Sequence, residues 1–281
     1  MSCWAGVALA LRSPGEDRMA SRLPTYLHPL AGRPLAWHTI RAMADLDPPP
    51  RQLFLVTLPS IDLSPLADTV PVDVVVAPTP GRWWAPIAGR LVSPVERLLL
   101  VDAAAPLLLG SLARLISGPP GRMVRAVDGE PIALWQTRAR VTDLAEEGLP
   151  FNAQASDLET MPPADPTEAI VVRDRRSLAR AVATIRDRLV ASHMAAGVTF
   201  LQPETVLVDV DVVIGPDTVI YPGVVLEGST KVGAETVIGP GCRIVDSWIG
   251  SGVELKGWNY IVNTSIRNRA VLEPYVRRGF D

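Results

Sequence analysis

The chain carries few side chains of the kinds that do covalent chemistry. Its two cysteines, Cys3 and Cys242, lie far apart and show no metal-ligand spacing. Its three histidines are His28, His38 and His193. His28, within LHPLAG, reads as a packing or turn-capping residue, with a catalytic role as the alternative. His193 reads as a helix end, where a positive charge favours the dipole. Trp83 and Trp84 read as core or interface residues, with stacking on a base as the alternative. Trp248, Trp258 and Tyr260 read as contacts between copies of the chain wherever they face outward. The charges of DRRSLARAVATIRDR read as the solvated face of a helix.

Composition bounds what these residues serve. A length of 281 residues suits two modest domains, and 48% apolar with 20% charged residues marks a globular chain. The net charge is −3 with no basic stripe, which argues against binding polymeric nucleic acid. Two distant cysteines rule out a disulfide framework and suit a reducing cytoplasm. The N-terminal stretch MSCWAGVALALRSPG fits a buried first strand better than a signal peptide. No apolar run approaches the roughly 18 residues of a membrane span.

The first half alternates strands and helices. Residues 5–11, Gln52–Thr57, 72–77 and Arg97–Asp102 read as strands. Pro34 marks a helix start, followed by Leu35, His38, Thr39 and Met43 at helical spacing, and further helices are expected near 84–92 and 108–117. This alternation predicts an α/β fold, a mostly parallel sheet covered on both faces. Residues 140–170 read as irregular, with four prolines. Asp174 is expected to cap a long amphipathic helix from Arg175 to about Ala195, with Leu178, Val182, Ile185 and Leu189 as its stripe and Gly197 as its end.

After Gly197 the period becomes six. Val208, Ile214, Ile220, Leu226, Val232, Ile238 and Ile244 recur at that spacing. The register shortens by one to Ile249, continues through Leu255 and Ile261, shortens again to Ile266 and resumes at Leu272. Six fits neither a helix nor an ordinary sheet. It fits a three-sided left-handed parallel β-helix whose short strands each place one aliphatic side chain inside. Glycines such as Gly215, Gly233, Gly239 and Gly250 are expected at corners that need positive φ. Such prisms pack by their flat faces, which predicts a homotrimer. The expected domains are 1–172, a linking helix 173–197 and the β-helix 198–281.

Two segments carry a family resemblance. RMASRLPTYLHPLAGRPLAWH (18–38) resembles the start of sugar-1-phosphate nucleotidylyltransferases, and 187–228 looks like an arm-to-β-helix junction. Together they resemble the bifunctional N-acetylglucosamine-1-phosphate uridylyltransferase / glucosamine-1-phosphate acetyltransferase family. The resemblance implies a Rossmann-like nucleotidyltransferase domain, UTP or UDP-N-acetylglucosamine as ligand, and Mg²⁺ as cofactor if the site is active. It spans nearly the whole chain, weakly in the middle.

The departures from that family bear on its chemistry. Its glycine-rich phosphate loop aligns with Arg12, Ser13, Pro14, Gly15, Glu16 and Asp17. Pro14 has no N–H to donate, and Glu16 and Asp17 repel a triphosphate. The family lysine after Leu-Pro is Thr25, and its metal-binding aspartate falls at Ala104. The resemblance leaves Arg18 as the catalytic candidate and Arg12, Gly15 and Gly81 as nucleotide-binding candidates. Asp102 with Asp174 remains as a compensating metal pair, the second family ligand falling at Arg173 or Asp174. Nucleotidyl transfer depends on cations that hold the phosphates in line, so these losses predict an impaired or inactive uridylyltransferase. In the family the acetyltransferase base is a histidine farther along the β-helix than this chain extends, and no histidine here lies in the coils. Arg278 aligns with a substrate-contacting arginine whose partners are missing, so no acetyltransferase site is expected. Two functions follow as expectations: a sugar-1-phosphate nucleotidylyltransferase-like protein with a degenerate site, or a non-catalytic trimeric scaffold or regulatory relative.

Overall fold

The computed structural model describes residues 3–12, 18–66, 71–146, 148 and 158–279. They fall into two compact units, Met1–Pro29 with Pro34–Ala181, and Leu30–Arg33 with Val182–Asp281. The division therefore falls inside the long helix, between Ala181 and Val182.

In the first unit, β1 is Trp4–Ala10, and β2 (Pro29–Leu30) and β3 (Arg33–Pro34) form a small hairpin that leads into α1 (Leu35–Ala44). Then come β4 (Gln52–Thr57), β5 (Asp73–Val76), α2 (Ala85–Ala88), β6 (Arg97–Asp102), α3 (Gly110–Ser117), β7 (Arg122–Arg125), β8 (Pro131–Thr137), α4 (Arg138–Glu146) and β9 (Glu159–Met161). The long helix α5 is Arg175–Ala195. The sheet order is β5-β4-β1-β6-β8-β7-β9. Parallel pairing joins β5, β4, β1 and β6, and β9 to β7, while β8 runs antiparallel between β6 and β7.

β1 is buried along its whole length, as a central parallel strand must be. Its side chains alternate between two cores. Ala8 and Ala10 join Leu99, Val101, Ile40 and Met43 under α1, while Val7 and Leu9 join Phe54, Val56, Leu100 and Ile87 under α2. Gly6 permits the close approach of α1: a Cβ there would lie 3.1 Å from the sulfur of Met43. Pro34 precedes α1 with extended dihedrals, as its fixed φ and missing N–H suit a helix start.

Two sequence expectations need correction here. The helix expected near 84–92 is only Ala85–Ala88, ended by Gly89. The region from 140 is not irregular throughout, because α4 runs to Glu146 and β9 pairs with β7. α4 buries only Val141 and Leu144, too sparse a stripe to be read from the sequence.

The second unit winds three ladders of short parallel strands, five, five and four deep. Val208, Ile214, Ile220, Leu226, Val232, Ile238, Ile244, Ile249, Leu255, Ile261 and Ile266 are all buried in one core. Each contributes about 1.5–3 kcal/mol by burial. The two shortened repeats keep the stacking, since Ile249 pairs with Val232 and Ile266 with Ile249. Asp246 and Asn263 take up the shorter turns with φ of 44° and 45°. The glycines at 215, 233, 239 and 250 are not at positive φ, which corrects the expectation for them. Their reason is proximity: a Cβ on Gly215 would lie 2.5 Å from the backbone N of Ala234 on the next coil.

Candidate functional site

β1 leads to β4 on one side and β6 lies on its other side, so the strand order reverses between β1 and β6. Ligands of open α/β sheets bind outside the carboxyl ends of strands at such a point. Arg12 follows β1, and Asp102 ends β6 in register with Leu9. A cleft of about 630 Å³ lies beside them, lined among others by Arg12, Arg18, Glu130, Arg173, Asp174 and Arg180.

Arg173 lines it and is paired with Asp102. Nη2 of Arg173 donates to Oδ2 of Asp102 at 2.5 Å, and the two side chains are 15% and 11% exposed. The other oxygen of Asp102 accepts from the backbone N–H of Ala104 at 2.8 Å. Nη1 of Arg173 donates to the carbonyl of Val172 at 3.3 Å, while its Nε is buried and has no hydrogen-bond partner among the described residues. Burial pulls the Arg173 pKa down, but the charge and hydrogen bond of Asp102, with the charges of Glu130 and Asp128, outweigh it and hold it above its ordinary value. The guanidinium therefore stays charged. Breaking one member of such a pair costs about 3–5 kcal/mol, because the other charge is left without compensation.

Asp174 serves its own helix. Its Oδ1 accepts from the N–H and the hydroxyl of Ser177, both at 2.7 Å, as a capping residue does. These bonds hold its carboxyl below the usual carboxylate range. Asp102 and Asp174 are thus each engaged by protein donors. Among the described residues, no group of three or more His, Cys, Asp or Glu side chains is placed to hold a metal ion. Ala104 is buried, and its carbonyl accepts from the N–H of Val172 at 2.8 Å.

Arg18 joins the cleft through its backbone, its N–H donating to the carbonyl of Arg173 at 3.0 Å. Arg12 reaches Oε2 of Glu130 at 3.4 Å, and Nη2 of Arg173 lies 3.6 Å from the same oxygen. Gly81 sits in the turn Pro80–Arg82, away from the cleft-lining residues, with open space where a Cβ would be. Gly15, with Ser13, Pro14, Glu16 and Asp17, lies outside the described residues. Trp83 is fully buried and packs edge-on against Trp84, so both are core residues. His28 is buried, and its backbone ties the turn before α1, accepting from the N–H of Leu35. In the coils, Trp248 and Trp258 are exposed, and the Arg243 guanidinium lies 5.3 Å from the ring of Tyr260.

The family resemblance pointed to Arg12, Arg18 and Asp102, but not to Glu130. The turn signal Asp128–Gly129 between two strands was its only local mark. Arg173 entered only as an alignment position. Its partner is 71 residues away, and no local pattern announces such a pair.

Comparison with known proteins adds lineage. Residues 211–245 match the bacterial transferase hexapeptide (six repeats) family. The chain is 41% identical to the bifunctional protein GlmU of Alkaliphilus oremlandii over 108 residues, which are 38% of this chain and 24% of that protein. It is 37% identical to the GlmU of Thermodesulfovibrio yellowstonii over 135 residues, 48% of this chain and 29% of that one. The match spans about a quarter of the length of these curated relatives. The structure of Rv0371c from Mycobacterium tuberculosis aligns with 64% of this chain and 98% of its own, at 18% identity and a TM-score of 0.49. A nucleotidyl transfer protein of Methanothermobacter, Mth528, aligns with 68% of this chain and 100% of its own, at 15% identity and a TM-score of 0.47. At scores below 0.5 neither likeness bears on function. Among the described residues, no helix is long and apolar enough to cross a membrane.

Proposed function

We propose that this chain is a non-catalytic relative of sugar-1-phosphate nucleotidylyltransferases. Its first unit binds a sugar nucleotide of the UDP-N-acetylglucosamine type, and its β-helix assembles three copies. The observation that carries this reading is the Arg173–Asp102 pair, whose guanidinium lines the cleft and whose carboxylate ends β6.

Mg²⁺ does not fit these residues. It asks for near-octahedral oxygen ligands at about 2.0–2.1 Å. Asp102 is the carboxylate at the strand end, and both its oxygens already accept from protein donors. Arg173 has no lone pair to give a metal. The charges that remain for phosphate are the cleft's five arginines, Arg12, Arg18, Arg173, Arg176 and Arg180, against Asp128, Glu130 and Asp174. Such a cleft can hold and orient a diphosphate. Among the described residues, none supplies what a magnesium ion supplies to the leaving pyrophosphate. Similarity to the GlmU proteins and the hexapeptide match support the lineage and the trimer.

The test is pyrophosphate release from UTP and N-acetylglucosamine 1-phosphate with Mg²⁺, alongside thermal shift with UDP-N-acetylglucosamine. The expected result is a raised melting temperature without pyrophosphate. Release at about 1 s⁻¹ or faster, an ordinary enzyme rate, would overturn the non-catalytic reading. Absence of any shift would remove the nucleotide site.

A further inference from the structure

We propose that Arg12 and Arg173 form a phosphate subsite whose resident counter-ion is the carboxylate of Glu130, displaced when a ligand phosphate binds. The inference deepens the sugar-nucleotide reading above and rests on it.

The two guanidinium groups converge on one point. Nη2 of Arg12 and Nη2 of Arg173 lie 3.4 and 3.6 Å from a single oxygen, Oε2 of Glu130. Both distances exceed the roughly 2.7–2.9 Å of a tight charge-assisted hydrogen bond. The Glu130 side chain is 53% exposed, whereas Asp102 on the same guanidinium is 11% exposed and bonded at 2.5 Å. Arg173 thus has one fixed carboxylate and one loose one. The fixed one orients the guanidinium before any ligand arrives, so little ordering is left to be done on binding. The loose one stands where an anion's oxygen would stand.

Glu130 is also placed to leave. It follows the Asp128–Gly129 turn between β7 and β8, and its own N–H donates to Oδ1 of Asp128. The carbonyl of Glu130 accepts from the N–H of Ala126, so the backbone stays anchored while the side chain swings out. A diphosphate brings more charge to the two arginines than a single carboxylate does. Among the described residues, the other charges lining the cleft are Asp128 and Asp174 against Arg18, Arg176 and Arg180, so removing the Glu130 charge shifts that balance towards the cationic side.

The experiment is calorimetric titration of the full chain with inorganic pyrophosphate and with UDP-N-acetylglucosamine, in EDTA. Glu130→Gln keeps the shape and removes the charge, and is expected to tighten both by about threefold or more. Arg12→Gln, at a half-exposed site where folding is not at stake, is expected to weaken both by at least as much. Asp143→Asn makes the same charge change outside the cleft and is expected to leave binding unchanged. Binding by the wild type that Glu130→Gln leaves unchanged or weakens overturns the subsite and leaves the sugar-nucleotide reading standing. An equal gain from Asp143→Asn overturns it as a mere effect of net charge. Failure of wild type and Glu130→Gln alike to bind either probe overturns both readings.

Discussion

A Cβ built on Gly233 would lie 2.5 Å from the backbone N of Ser251, one coil along the β-helix. Real Cβ atoms do not approach backbone so closely; the Ser251 hydroxyl at 2.6 Å could rotate away, but the backbone of Ser251 and Gly250 cannot. Gly233→Ala must therefore spread two coils, breaking ladder bonds such as that from Gly233 N–H to the carbonyl of Ile249. The expected loss is about 1–3 kcal/mol, as for other overpacked sites. Gly89→Ala meets open space at an ordinary φ and is expected to stay within about 0.5 kcal/mol of wild type. Urea unfolding of both variants checks the contrast.

Arg173→Ala leaves Asp102 with no countercharge in a nearly closed site. The expected cost to the first unit is about 3–5 kcal/mol. The double variant Asp102→Ala, Arg173→Ala removes both charges and should recover a large part of that loss. Equal destabilisation by single and double variants would mean that the pair contributes only through packing.

Burial lowers the pKa of His193 below its ordinary value. As pH falls past the unfolded value of about 6.5, the unfolded histidine takes a proton before the folded one does. Stability is therefore fully present above about pH 6.5 and declines as pH drops through the folded pKa. His193→Gln is expected to flatten that decline. Denaturation midpoints between pH 7.5 and about 5, above the range where carboxylates titrate, measure it.

One ladder of the β-helix presents Val213, Lys231, Trp248 and Ser265 outward, with Val213 and Trp248 about half exposed. Under the trimer reading, Trp248→Glu places a charge in an apolar contact and should shift the sedimenting species from trimer to monomer. A monomeric wild type would remove the trimer from the proposal.

The β-helix was legible because most of its short strands place one buried aliphatic residue inward, so Ile238, Ile244 and Ile249 announce both the coil and its shortened turn. Asp174 was legible as a cap because capping is a local bond, here to Ser177 three residues on. β7 and β8 were not, since Arg122–Arg125 is two buried residues between two arginines, too short to show a period. The corner glycines misled for a related reason. Positive φ and close approach both select glycine, and only the stacked coils tell them apart. Arg12 could be placed from the family's phosphate loop, but the partnership of Asp102, Glu130 and Arg173 joins three distant stretches of chain. Charge pairing of that kind has no spacing to read.

Arg173 brings its positive charge to the cleft on a covalent tether. A bound ion exchanges with the medium, competes with other ions and is withdrawn by chelators. A guanidinium does none of these, and with its pKa held above an already high value it does not titrate in living cells. The charge at the mouth of this sheet is therefore the same under magnesium starvation as under plenty, which insulates the cleft from the cell's ionic supply.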